Sequence, residues 1–333
     1  MALTTVDQGL LGTNAQYTGF KNRIINGAMM FSQRNGTTAT ANGSNAYTLD
    51  RWAAYGNVVS KYTTTQSTTA PDGFSNSLLV TSSSAYSVAS TDYFFLIQRI
   101  EANNVFDFSL GTANAKTFTL SFWVRSSLTG TFGGSLLNSA ENYAYPFTYT
   151  ISTANTFEYK TITVAGPTAG AWATGTSAGL EVSFGLGVGS SLSGTASAWA
   201  GSQYYSATGA TSVVGTNGAT FYITGVQREK GSTATSFDYR PYGTELALCQ
   251  RYYQNGGFSM AGYTLNTEAF GGSVYFSVTK RTTPTIVFSN VVNNNNVGCS
   301  AFSITVSDFR TQATANATTR QYLSADYTAS AEL

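Results

Sequence analysis

The chain has 333 residues, 42% of them hydrophobic and only 10% charged, with a formal charge of +1. That length exceeds the ~150 residues of a typical domain, and the charge lies far below the ~25% usual in soluble proteins. Tyr and Phe at 21 each and 33 Gly favour β structure, while a histidine count of 0 excludes Ser-His-Asp and Cys-His nucleophiles, His-liganded zinc, haem with a proximal His and imidazole pH switches.

Residues 1–22 carry Val6, Leu10 and Leu11 as isolated apolar positions among Thr, Gln, Gly and Asn. The pattern is too sparse for a core but sufficient to pack on a partner, so an attachment arm is expected. This segment has no basic stretch and no apolar run of signal-peptide length, and no stretch of ~18 apolar residues occurs further on; neither export nor membrane insertion is expected. Basic residues are scattered singly, which leaves no footprint for nucleic acid.

From Arg23 onward, short alternating apolar runs separated by Gly, Asn and Ser clusters predict an all-β sandwich or barrel. Strands are expected at 78–81, 93–100, 118–125, 158–164, 179–187 and 220–227. Phe118, Leu120, Phe122 and Val124 make one core face, and the intervening positions make a polar face interrupted by Trp123. Leu180, Val182, Phe184 and Leu186 repeat the device, with Glu181 and Ser183 outward. Gly185-Leu186-Gly187-Val188-Gly189-Ser190 resembles a dinucleotide loop superficially, but its third glycine is Ser190 and no helical pattern follows, so it reads as a strand end.

One helix is expected after Pro241-Tyr242-Gly243. Thr244 is its predicted cap, Leu246, Cys249, Gln250 and Tyr253 its stripe, and Gly256-Gly257 its stop. Further strands are expected at 272–278, 285–288 and 301–308, with Asn293 to Asn296 as a hairpin tip. A boundary near Gly243 divides the chain into an arm (1–22), a sandwich domain (23–242) and a helix with a small C-terminal β domain (243–333). Spacing leaves open whether Cys249 and Cys299 pair.

With imidazole absent, the simplest hydrolytic device is a carboxylate pair, yet the acidic residues form no Asp-x-Asp or Glu-x-Glu constellation. Catalysis is therefore not expected, and neither is a metal or cofactor, since no dense Asp/Asn loop marks calcium. Trp172, Trp199, Tyr204 and Tyr205 lie among small polar residues, where loops would carry them. Exposed rings there would stack on the C–H face of a sugar while neighbouring hydroxyls and amides bind its hydroxyls. Packing on the protein's own loops or on a neighbouring subunit is the other reading. Trp123 with Arg125 would offer a stacking ring beside a cation if their sheet face is open. A covering loop or the arm would bury them instead, and the sequence supports both readings.

Several strings resemble a known family. They are Asn22-Arg23-Ile24-Ile25-Asn26-Gly27 with Ser32-Gln33-Arg34, Tyr47-Thr48-Leu49-Asp50-Arg51-Trp52, and Leu120-Ser121-Phe122-Trp123-Val124-Arg125-Ser126. Ile223-Thr224-Gly225-Val226-Gln227-Arg228-Glu229-Lys230-Gly231 continues the series through Phe237-Asp238-Tyr239-Arg240-Pro241-Tyr242. Together they are similar to the jelly-roll module of many bacteriophage tail-fibre and receptor-binding proteins. Glu245 to Tyr253 resembles the helix that follows it, and Val278 to Thr285 a strand-turn pattern near fibre C-termini. The resemblance covers roughly residues 22 to 290.

It implies an all-β chain, an antiparallel two-sheet jelly-roll sandwich built like a carbohydrate-binding module, followed by one short helix and a small C-terminal β domain. It further implies a non-enzymatic virion tail fibre, homotrimeric, held to tail or baseplate proteins by its arm and binding a host cell-surface glycan with trimer avidity. A purely structural tail, baseplate or head-decoration fibre and a polysaccharide depolymerase are the alternatives. No ligand residue of the family maps onto this chain, so Trp123, Arg125, Trp172, Trp199, Tyr204 and Tyr205 are candidates on their own chemistry.

Overall fold

Apolar side chains at every second position make one sheet face that must be covered, and with one helix expected in the whole chain a second sheet is the available cover. The computed structural model describes residues 20–43 and 46–333; Val6, Leu10 and Leu11 lie outside the described residues. The chain divides into two units, Met1–Tyr239 and Arg240–Leu333, whereas the sequence places a boundary near Gly243.

The first unit contains β1 (Thr40–Ala41), β2 (Ala46–Leu49), β3 (Trp52–Gly56), β4 (Tyr62–Ser67), β5 (Ser77–Ser82), β6 (Tyr93–Glu101) and β7 (Phe118–Ser126). It continues with β8 (Gly130–Leu137), β9 (Ala144–Ile151), β10 (Glu158–Val164), β11 (Ala178–Val188), the short β12 (Ser193–Gly194) and β13 (Ser206–Ala207), and β14 (Thr220–Lys230). Two six-stranded sheets result, ordered β1-β4-β5-β14-β7-β10 and β2-β3-β6-β11-β8-β9. From β5 to β11 the chain crosses between them at every connection except the β8–β9 hairpin, which is jelly-roll topology.

The core is the one the alternation predicts. Phe118, Leu120, Phe122 and Val124 of β7 and Leu180, Val182, Phe184 and Leu186 of β11 are all fully buried. The Phe122 ring meets Tyr149 and Phe184 edge-on, each with centroids 5.0 Å apart. Strands β3, β4, β8 and β9 escape the sequence reading. In β8 the glycines disguise the strand: a Cβ on Gly134 would lie 2.3 Å from the Ser183 carbonyl oxygen and 2.4 Å from Phe147 Cζ.

The outward face of β11 departs from expectation. Glu181 and Ser183 point away from the core yet are buried, because the segment bearing β13 lies over them; Ser183 Oγ donates to the Tyr205 carbonyl at 2.8 Å. Glu181 is ion-paired with Arg99 at 2.9 Å, but burial pushes its carboxyl from 4.5 up to about 8. The folded state therefore holds a proton that the unfolded chain releases between those values, and this contribution to stability is lost as pH rises through that window. Wild-type protein is expected to melt higher near pH 5 than near pH 8 through this group, and Glu181→Gln should shrink the difference. An unchanged difference in the variant would rule the assignment out.

The second unit contains α1 (Tyr242–Gln250), β15 (Tyr253–Thr264), β16 (Ala269–Tyr275), β17 (Thr285–Asn294), β18 (Asn296–Phe302), β19 (Asp308–Ala315) and β20 (Thr319–Ser330). Two three-stranded sheets, β15-β20-β17 and β16-β19-β18, enclose Val274, Phe276, Phe309, Tyr327 and Ala329. The helix begins behind Pro241 without a side-chain cap from Thr244. Gly256 and Gly257 do not stop it but sit inside β15, captured by a continuous ladder from Tyr253↔Ser330 to Thr264↔Thr319. Asn295 does take positive φ, 60°, but the turn passes from β17 in one sheet to β18 in the other and is no hairpin. The strand expected at 301–308 instead splits between β18 and β19. No helix among the described residues is long and apolar enough to cross a membrane.

Candidate functional site: an aromatic cleft on the first sheet

Ser121, Trp123 and Arg125 alternate on the outward face of β7, about 6.6 Å apart from one to the next. Across the ladder to β10, Trp123 faces Tyr159; across the ladder to β14, it faces Thr224, and Arg125 faces Tyr222. A bulge interrupts β14 between Thr224 and Gln227. Gly225 occupies it at φ +60°, and a Cβ there would sit 2.7 Å from Phe74 Cζ and 3.0 Å from Trp123 Cδ1. Glycine is thus what lets Phe74 and Trp123 approach the same backbone.

Two segments rise over this face. The β4–β5 connection brings Asp72 and Phe74, and the stretch after β14 brings Thr235, Phe237 and Tyr239. Phe74, Phe237 and Tyr239 pack as a trio with centroids 4.9 to 5.5 Å apart, and the Tyr239 hydroxyl donates to the Gly73 carbonyl at 3.0 Å. Buried Glu229 anchors the second segment, accepting from the Thr235 hydroxyl at 2.6 Å and its N–H at 2.8 Å. Gln227 accepts from the Asp238 N–H at 2.8 Å.

Between the trio and the Trp123–Tyr159 pair, whose rings lie 5.3 Å apart, remains a cleft of about 450 Å³. Its walls are these aromatic faces; Asp72, Ser121 and Thr235 supply polar groups. Tyr159 is 43% and Tyr239 59% exposed, so rings are available to a ligand while hydrogen-bonded loops fix their positions. Apolar walls with a few fixed polar groups are what a saccharide ring requires.

The six candidates read from the sequence do not converge here. Trp123 is half-buried in the cleft and Arg125 flanks it, with its guanidinium over Tyr222 at 4.9 Å and near Phe157 at 5.9 Å. Trp172 and Trp199 form another cluster. Trp199 stacks on Tyr143 at 5.6 Å and meets Trp172 edge-on at 5.7 Å, and their indole N–H groups donate to the Ala165 and Ala169 carbonyls. Both are half-buried against the core, though Trp172 also borders a separate hollow beside Phe106 and Asp107.

Tyr204 and Tyr205 roof the second sheet. Tyr205 corrects the expectation of an exposed loop ring: it is 6% exposed, stacked on Phe95 at 4.3 Å, with its hydroxyl donating to Glu141 at 2.5 Å. The outward apolar surface of Phe95, Ile97 and Leu137 needs a cover, and an aromatic ring with one polar tip provides it. Tyr204 packs half-buried in the same patch.

Phe74, Tyr159, Phe237 and Tyr239 escape the sequence reading. Tyr159 alone has a local signal, since it shares an outward face with Thr161 and Thr163 on β10; its meeting with Trp123 depends on cross-strand register.

In comparisons with known proteins, no protein-family model and no curated protein matches the chain. Similar solved structures include the enzymatically active domain of tailspike protein 4 from bacteriophage CBA120, at 16% identity and TM-score 0.36. The match covers 63% of this chain but spans only 21% of that one. A candidate sugar-binding protein from Bacteroides thetaiotaomicron VPI-5482 matches at 13% identity and TM-score 0.38, over 63% of this chain and 100% of that one. The family 11 carbohydrate-binding module of Clostridium thermocellum, solved with a β-1,3-1,4-mixed-linked tetrasaccharide, matches at 9% identity and TM-score 0.31, over 59% and 98%. These are likenesses of fold.

Proposed function

We propose that the chain is a non-catalytic glycan-binding fibre of a bacteriophage virion, attaching it to a host cell-surface glycan through the Trp123 cleft. The observation that carries the reading is the open aromatic cleft itself, with Tyr159 and Tyr239 exposed beside Trp123 and polar groups of Asp72, Ser121 and Thr235 within reach. The virion assignment rests on the sequence strings that resemble tail-fibre modules, and the arm at 1–22 is its proposed link to tail or baseplate proteins.

Assembly as a homotrimer is part of the proposal. Tyr263, Leu265, Tyr275, Val287, Val292 and Val297 of the second unit are each more than half exposed, and apolar surface on that scale favours cover by further copies. The same observation favours the second reading, a purely structural fibre. Binding separates the two. Trp123→Ala and Tyr159→Ala are each expected to weaken saccharide binding ~5- to 30-fold, a loss of ~1 to 2 kcal/mol, without lowering the melting temperature of the first unit. Isothermal titration and adsorption to host cells read the effect; unaltered adsorption by both folded variants would leave the structural reading standing. Incubation of the fibre with host polysaccharide is expected to release no reducing ends.

A further inference from the structure

Arg125 differs from the ion-paired cations of the first unit by what it lacks, and from Arg228, likewise unpaired but fully buried, by being only half-buried. Arg23 pairs with Asp107, Arg99 with Glu181 and Glu141, Lys160 with Glu158, and Lys230 with Asp107. Arg125 has no ion pair and no hydrogen bond among the described residues, only the faces of Tyr222 and Phe157. Its Nε is buried and unsatisfied, whereas its two terminal nitrogens reach solvent. Glu158, the acid nearest in register on β10, faces the other side of the sheet beside Val124. That carboxylate is already engaged by Lys160 at 2.6 Å and by the N–H groups of Ser152 and Thr153 at 2.8 Å each.

A guanidinium lodged beside two rings that meet each other edge-on is held in place without being neutralised, and its remaining N–H pair is a fork suited to an oxyanion. Trp123 lies between Ser121, which belongs to the cleft floor, and Arg125, which does not. A sugar stacked on Trp123 would extend hydroxyls toward Ser121 and Thr235 and turn its other edge to Arg125. Asp72 lines the cleft and Arg125 does not, so the carboxylate and the cation address different parts of a bound chain.

Resting on the glycan reading above, we infer that the ligand is an acidic saccharide, whose oxyanion is received by Arg125 while its ring stacks on Trp123. Carboxylate and phosphate share the required chemistry, and the experiment separates them. The full-length protein is titrated with uronate- and sialate-containing oligosaccharides, each paired with its carboxyl-reduced neutral counterpart, and with phosphorylated oligosaccharides paired with their dephosphorylated forms. Wild-type protein is expected to bind the acidic member of at least one pair tenfold or more tightly, with the advantage shrinking as salt is raised. Arg125→Gln should bring the acidic-to-neutral affinity ratio close to one, whereas Trp123→Ala should weaken both members and keep the ratio. Thermal melting confirms that both variants are folded. Equal wild-type affinity within every pair, or an acidic preference that survives Arg125→Gln, overturns this inference and leaves the glycan reading intact. Failure of every saccharide to bind the folded wild-type protein overturns both.

Discussion

Truncation of Phe122 to alanine is expected to lower the unfolding free energy of the first unit by ~3–5 kcal/mol. Phe122 is fully buried in the middle of β7, which is paired on both sides, with β10 and β14. Its ring touches Tyr149 and Phe184 edge-on, and Tyr149 in turn packs on Phe132 and Phe147. Sheet backbones clamped on both flanks cannot move inward to fill the space, so the cost includes a cavity as well as lost burial. All 4 tryptophans of the chain lie in the first unit, so denaturant unfolding followed by tryptophan fluorescence reports on that unit. A loss below about 1 kcal/mol would mean that the two sheets do not close on this ring.

Period-two patterning reveals such a residue because core membership on an alternating strand is local information. Phe118 to Val124 and Leu180 to Leu186 carry it in full, and both strands formed with the predicted faces inward. Patterning says less about outward faces. Glu181, Ser183, Thr119 and Ser121 all point away from the core, yet each is buried, since loops from distant parts of the chain lie over them. The functional reading met the same limit. Trp123 is conspicuous on a polar face, but Phe74, Tyr159 and Tyr239 join it from segments separated by tens of residues, through strand register and a glycine bulge that no local period encodes. Tyr205 shows the converse error, because small polar neighbours mark a loop without saying whether that loop is folded down onto the protein. The glycine pair in β15 failed for a related reason: a ladder supplied by β20, far along the chain, outweighs a local stop signal.

Replacing Arg228 by methionine is expected to stabilise the first unit by ~1–4 kcal/mol. Arg228 stands opposite Leu120 in the β14–β7 ladder and so points into the sandwich, where it is fully buried. None of its three side-chain nitrogens has a hydrogen-bond partner. Phe118 and Phe108 face its guanidinium at 3.9 and 4.3 Å, and the carboxylate closest by charge, Asp107, is held by Arg23 at 3.0 Å. Burial, reinforced by the Arg23 charge, pulls its proton affinity well below that of an ordinary guanidinium, the mark of a cation that the interior resists. Two opposing effects decide the sign. A desolvated cation–π contact returns ~2 kcal/mol, whereas removing an ion from water without replacing its hydrogen bonds costs several, so the penalty is the larger. Methionine has a similar unbranched reach, adapts to irregular space and makes favourable sulfur–aromatic contacts with the same two rings. The backbone hydrogen bonds at this position, from Arg23 N–H to the Arg228 carbonyl at 2.9 Å and from Arg228 N–H to Asn22 at 3.1 Å, do not involve the side chain and survive the change. The measurement is the same fluorescence-detected unfolding, with Arg228→Lys as the companion variant. Lysine keeps the charge but loses the flat face presented to Phe108 and Phe118, so it should destabilise. A methionine variant less stable than wild type would show that the two ring contacts outweigh the loss of water.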